Sequence, residues 1–171
     1  MRSIKQDELK EYAQSCRALE QSKRTLLLST LSASGLPEIS YAPYLRSEQG
    51  GFYIFISRLA NHTVNLLAQP VCSVLFIENE NESRNVFARE RLSYACEVEE
   101  VSADSEAYDV VLDKMERHLG QTMQLLRGLP DFHLFKLNPK SGSYVVGFGK
   151  AFEVDPVDNS LSHLNIERLQ R

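Results

Sequence analysis

Apolar and polar positions follow two rhythms along this chain. Leu9, Tyr12, Ala13, Cys16 and Leu19 recur at helical spacing with charges between them, which predicts a helix over residues 6–21. TLLLSTLS (25–32), PEISYAPYLR (37–46), FYIFIS (52–57), VCSVLFIE (71–78) and RLSYACEVEEV (91–101) are dense in β-branched and aromatic residues and read as strands. Pro43 inside the second of these cannot donate a ladder hydrogen bond, so it marks an edge or a bulge. LANHTVNLLA (59–68) brings Leu59, His62, Leu66 and Leu67 near one helical face, and Pro70 stops that helix.

Residues 104–127 are mainly helical. Asp104 is placed to cap the start, and Tyr108, Val111, Leu112, Met115 and Leu119 form the buried stripe. Gly120 divides the segment in two. FHLFKLNP (132–139) predicts a strand, KSG a turn, and SYVVGFGKAFEV (143–154) a last long strand. Gly147 and Gly149 within it mark a bulge or a close approach. The tail, 155–171, is polar with a weak helical pattern. The sum is about six strands and three or four helices. Strands joined by hairpins, with helices at the ends, imply a mainly β (α+β) antiparallel barrel in a single domain over 1–171, with the barrel spanning 25–154.

Composition narrows the function classes. The 171 residues suffice for a proper core, and 43% hydrophobic with 25% charged residues is ordinary for a soluble globular chain. A net charge of −4 gives no reason to expect nucleic acid as a partner. The charged start, MRSIKQDELKEYAQ, does not read as a signal peptide, and no apolar run approaches the roughly 20 residues of a membrane span. Cys16, Cys72 and Cys96 are widely spaced and form no C-x-x-C, which argues against a zinc knot or a disulfide framework. These features lead us to expect a cytoplasmic protein.

The candidate chemistry gathers where FYIFIS hands over to a helix. Ser57 and Arg58 through Asn61 and His62 form a polar loop at a helix start, where unpaired N–H groups can hold an anion. His62 either caps local backbone or contacts an anionic or metal-bearing ligand. His118 sits near a helix C-terminus, where the dipole favours a cation. His133 alternates with phenylalanines, and His163 lies in the tail, from which a folded-over segment can supply a metal ligand. Arg84, Arg89 and Arg91 are either a solvated charged loop or an anion clamp. Asp131 serves turn chemistry or orients a metal-binding histidine. Tyr41, Tyr44 and Tyr144 either line a pocket or pack as ordinary strand residues. Walker, G-x-S-x-G and H-E-x-x-H patterns are absent from the sequence.

TLLLSTLSASGLPEISYAPYL (25–45), GFYIFISRLANHTVNLLAQPVCSVLFIE (51–78), NVFARERLSY (85–94) and DFHLFKLNPKSGSYVVGFGKAFEV (131–154) together resemble the HugZ/HutZ haem-utilisation family. That family lies within the pyridoxamine 5′-phosphate oxidase-like FMN-binding split barrels. The resemblance implies a six-stranded Greek-key split barrel with peripheral helices, and a homodimer that binds ligand at the subunit interface. It implies haem as ligand and, in some members, oxidative ring opening with O2 and a reductant or reductase. Asp131 matches the aspartate that hydrogen-bonds the iron-ligating histidine, Arg91 matches an arginine near the haem, and His62 matches the histidine of the H-x-x-N-L pattern. Asn61, Arg58, Ser57, Arg89 and Tyr41 are the accompanying candidates for cofactor contacts. The tail departs from the family pattern: Arg168 falls where the axial histidine belongs, so either His163 takes over as iron ligand, or the protein binds haem differently, or it does not degrade haem. An arginine cannot replace a neutral imidazole on iron. The alternatives are an FMN-binding oxidase-like flavoprotein and a haem storage or delivery protein without turnover.

Overall fold

The computed structural model describes residues 6–164, so Arg168 lies outside the described residues. The fold class is the expected one: antiparallel β pairing with four α-helices among the described residues. The strands are β1 (Thr25–Leu31), β2 (Pro37–Pro43), β3 (Leu45–Arg46), β4 (Phe52–Ser57), β5 (Val71–Ile77), β6 (Arg91–Glu100), β7 (Phe132–Val145), β8 (Ala151–Val154) and β9 (Leu161–His163). The helices are α1 (Gln6–Gln21), α2 (Asn61–Ala68), α3 (Glu106–Leu119) and α4 (Thr122–Arg127). Hydrogen bonding orders the strands β2-β1-β5-β6-β7-β4-β3, with β8 added to β7 and β9 to β8.

Nine strands stand among the described residues where about six were expected, and the boundaries differ at three places. The predicted 37–46 strand breaks after Pro43, whose missing N–H ends the β1–β2 ladder at Thr25↔Pro43, and β3 then pairs with β4. KSG makes no turn, because β7 runs on through residue 145. Gly142 is required inside that strand by packing: a Cβ there would lie 2.7 Å from the Tyr94 ring. The turn comes instead at GFGK, where Gly147 (φ 105°) and Gly149 (φ 72°) adopt backbone that L-residues avoid and Val146 N–H donates to Lys150 O at 3.0 Å. The polar tail, read as weakly helical, contributes β9. Ser105, not Asp104, occupies the N-cap of α3.

The chain divides into two compact units. One comprises Arg24–Val74 and Ala95–Lys140 and holds the β1–β2 hairpin, α2, β4, α3 and α4. Its helical layer buries Phe55, Val111, Leu112, Met115, Met123 and Leu134 together, which is the stripe the sequence predicts for α3 meeting the inner face of β4 and β7. An apolar cavity of about 290 Å³ lies among Phe55, Met115, Leu119, Met123 and Leu126, with Arg24 among its lining. The other unit takes in α1, residues 75–94 and the chain from Ser141 onward. There the Phe152 ring, fully buried, meets Tyr12 at 5.2 Å, Tyr144 at 6.2 Å and His163 edge-on at 5.6 Å.

Candidate functional site

Ser57 ends β4 and organises the polar loop that follows it. Its hydroxyl donates to Asp131 Oδ2 and accepts from Leu59 N–H at 3.0 Å. Its carbonyl accepts from Thr63 Oγ1 at 2.6 Å and Ala60 N–H at 3.1 Å. Arg58 N–H donates to Asp131 O at 2.7 Å. Ser57 and Arg58 thus tie the loop to Asp131, just before β7, and α2 begins at Asn61 with no side-chain cap on Ala60. The exposed Arg58 guanidinium has no hydrogen-bond or ion-pair partner among the described residues. An uncapped helix start beside an uncommitted guanidinium is chemically suited to a carboxylate or phosphate.

Polar side chains seat α2 on the β1–β2 hairpin, a feature the apolar periodicity did not reveal. His62, Asn65 and Gln69 share one helical face. His62 Nδ1 lies 2.9 Å from Ser40 Oγ. Asn65 Nδ2, on a buried residue, donates to Thr30 Oγ1 and Glu38 Oε2, each at 3.0 Å. Gln69 Nε2 donates to Ser32 O at 3.0 Å. Of the predicted apolar face only Leu66 is fully buried; Leu59 is 92% exposed. Ser40 was not singled out from the sequence, and the only trace it left was its inward place in the β2 alternation.

His62 carries the ring chemistry of this cluster. Ser40 Oγ, which also reaches Leu28 O at 3.4 Å, occupies Nδ1 and leaves Nε2 as the ring nitrogen without a partner among the described residues. Half-burial of the ring lowers its pKa from the ordinary value, because a desolvated imidazolium is disfavoured. The group therefore favours the neutral form that accepts a hydrogen bond or ligates a metal.

The remaining candidates divide by unit. Tyr41 shares the unit of His62 but projects from the opposite face of β2, 64% exposed, opposite Leu27. Arg89 clasps the end of β5: its Nε donates to Glu78 O at 3.0 Å, a terminal nitrogen also reaches Glu78 O, and the other pairs with Glu80 at 3.2 Å. Arg91 donates to Arg89 O at 3.2 Å. His163, in β9 of that same unit, stands half-buried against Phe152, and neither ring nitrogen has a hydrogen-bond partner among the described residues. His133 pairs with Glu100 at 2.7 Å, and Arg117 with His118 closes α3 where its dipole favours cations. Among the described residues no three His, Cys, Asp or Glu side chains are grouped as a metal cage. The donor types of the Arg58–His62 loop, an imidazole, a guanidinium and open helix N–H groups, are those a haem calls on at its iron and its propionates. No helix among the described residues is long and apolar enough to cross a membrane.

Comparison with known proteins places these features in context. The pyridoxamine 5′-phosphate oxidase family pattern matches residues 12–146. The chain is 37% identical to heme oxygenase HutZ of Vibrio cholerae serotype O1 over 142 residues, which is 83% of this chain and 80% of that protein. The crystal structure of Vibrio cholerae HutZ, described as a heme storage protein, superposes with a TM-score of 0.73 and 34% identity. It covers 78% of this chain and 95% of that one. ChuZ of Campylobacter jejuni superposes with a TM-score of 0.82 at 26% identity, covering 98% of this chain and 65% of ChuZ.

Proposed function

The chain belongs to the pyridoxamine 5′-phosphate oxidase family of split barrels, within its HugZ/HutZ haem-utilisation branch, and we propose that it is a haem-binding protein of iron acquisition that opens the porphyrin ring with O2 and a reductant. The observation that carries this reading is the 37% identity to a heme oxygenase across 83% of the chain. The loop geometry supports it. Arg58 and the open N–H groups of α2 are matched to a propionate, and the neutral His62 offers Nε2 to a donor or a metal. Ser57 and Asp131 hold that loop in place. Because the tail departs from the family pattern, His163 is the proposed iron ligand; the resemblance adds Arg91 near the haem, and Arg89 and Asn61 are proposed as further contacts. Haem would supply the redox iron and be itself the substrate, so release of the iron and of the opened ring would be part of turnover.

We further propose a cytoplasmic homodimer supplied with electrons by a reductant or a reductase. The outward face of the β1–β2 hairpin supports the pairing: Leu27 lies across from Tyr41, and Ile39 beside them is 82% exposed. Contiguous exposed apolar side chains on an edge hairpin suit burial against a second copy.

Haemin titration tests the reading. A sharp Soret band with saturable binding is expected, followed by bleaching and iron release when ascorbate is added in air. A broad free-haemin spectrum at saturation would overturn binding. A sharp band that survives reductant would leave a carrier without turnover. The second reading, FMN, is favoured by the same uncapped helix start beside Arg58, which suits a phosphate equally well. Quenching of FMN fluorescence with no response to haemin would select it.

A further inference from the structure

Cys72 and Cys96 lie on the same inward face of neighbouring strands, both buried, at 8% and 5% exposure. Backbone bonds at both ends of the β5–β6 ladder fix the register. Val98 N–H donates to Pro70 O at 2.8 Å, and Glu78 N–H donates to Glu90 O at 2.8 Å. Stepping along an antiparallel ladder from either bond sets position 72 directly across from position 96. Directly opposed residues of a hydrogen-bonded pair hold their Cα atoms about 5.5 Å apart, inside the span a disulfide bridges. Interaction with the Cys72 sulfur, together with burial, pushes the Cys96 thiol up. Both residues border a surface depression of about 350 Å³ that also includes Ser73, Thr30 and the Lys140–Glu97 ion pair, whose charged atoms are 2.8 Å apart. Cys16, the third cysteine, sits in α1 with 2% exposure.

We propose that Cys72 and Cys96 form a cross-strand dithiol that hydrogen peroxide converts to a disulfide. Cys72, the less buried of the two at 8% exposure, is the attacking thiol, which reacts as its thiolate. The thiolate attacks one peroxide oxygen: an S–O bond forms, the O–O bond breaks, and the departing hydroxide takes a proton to become water. Cys96 then attacks the Cys72 sulfenic sulfur; the S–S bond forms, the S–O bond breaks and a second water leaves. Two electrons pass from the thiols to peroxide, and a dithiol reductant returns them. A bond across β5–β6 fixes two central strands to each other. The inference is independent of the haem reading.

The test is peptide mapping of the full-length protein after brief exposure to hydrogen peroxide and alkylation. Expected is a Cys72–Cys96 crosslinked peptide pair that dithiothreitol reverses, with Cys16 still alkylated. In Cys96→Ser, dimedone should label Cys72; in Cys72→Ser, Cys96 should stay unlabelled. The wild-type map stands whether or not either variant folds. Alkylation of both Cys72 and Cys96 after peroxide, or linkage that is as frequent in urea as in the folded protein, overturns the proposal.

Discussion

The Ser57 hydroxyl donates to the Asp131 carboxylate, joining the last residue of β4 to the residue that precedes β7. The adjoining Arg58 N–H donates to the Asp131 carbonyl at 2.7 Å, so one residue grips the loop through both side chain and backbone. Asp131→Ala removes the side-chain half. A charged acceptor bond of this kind is worth about 1.5–3 kcal/mol when buried, and the lower end applies at this partly exposed site. The expected result is a lower midpoint in urea together with weaker haemin binding. Unchanged haemin affinity in a destabilised variant would confine Asp131 to holding the fold.

His62 sets a pH dependence. Its pKa in the folded protein is depressed below the ordinary 6.5 of a histidine by desolvation. Above 6.5 the imidazole is neutral in both states and contributes no pH slope. As pH falls below 6.5 the unfolded chain takes up the proton first, so folding stability declines until pH passes the folded value. Urea midpoints measured from pH 7.5 to 5 should therefore fall, and His62→Gln should flatten the curve. A slope unaltered by the substitution would assign the effect to other groups.

The iron ligand is tested by spectrum. His163→Ala is expected to shift and broaden the Soret band of the haemin complex, with added imidazole restoring it. His62→Ala should leave the ligand field in place while weakening binding. An unaltered Soret band in His163→Ala would discharge His163 as the ligand.

Association is tested at Ile39. The residue is 82% exposed, so an aspartate there costs the isolated chain little. Within an apolar interface the same carboxylate is desolvated without a partner and breaks the pairing. Light scattering coupled to size exclusion should find a dimer for the wild type and a monomer for Ile39→Asp. A wild-type monomer removes the dimer from the proposal.

Much of the fold was legible because local pattern and final structure agree. The helix over 6–21 and the strand FYIFIS appear with the boundaries the spacing predicts. The KSG turn failed because a tripeptide rich in turn formers can be overruled by packing, here Tyr94 over Gly142. The site was legible only in part. A polar loop at a helix start is visible in sequence, but the Ser40–His62 bond joins residues 22 positions apart and follows from which face of β2 points inward. The same alternation turns Tyr41 away from His62. The Cys72–Cys96 juxtaposition was equally hidden, since pairing register is a tertiary fact that composition does not carry.

Two glycines separate backbone strain from steric exclusion. Gly35 and Gly51 both adopt positive φ, 78° and 80°. A Cβ on Gly35 would meet nothing within 4 Å, so Gly35→Ala carries only the conformational penalty, about 1 kcal/mol. A Cβ on Gly51 would lie 2.3 Å from Leu137 O and 3.2 Å from Pro139 Cδ. That carbonyl belongs to β7, and Phe52↔Leu137 is the first pair of the β4–β7 ladder, so relief requires the strands to part. Gly51→Ala should therefore cost about 3 kcal/mol, a Tm loss of roughly 6–12 °C for a chain of this size. Differential scanning calorimetry of the two variants should rank Gly51→Ala well below Gly35→Ala. Equal losses would mean that the close approach to Leu137 is not retained in solution.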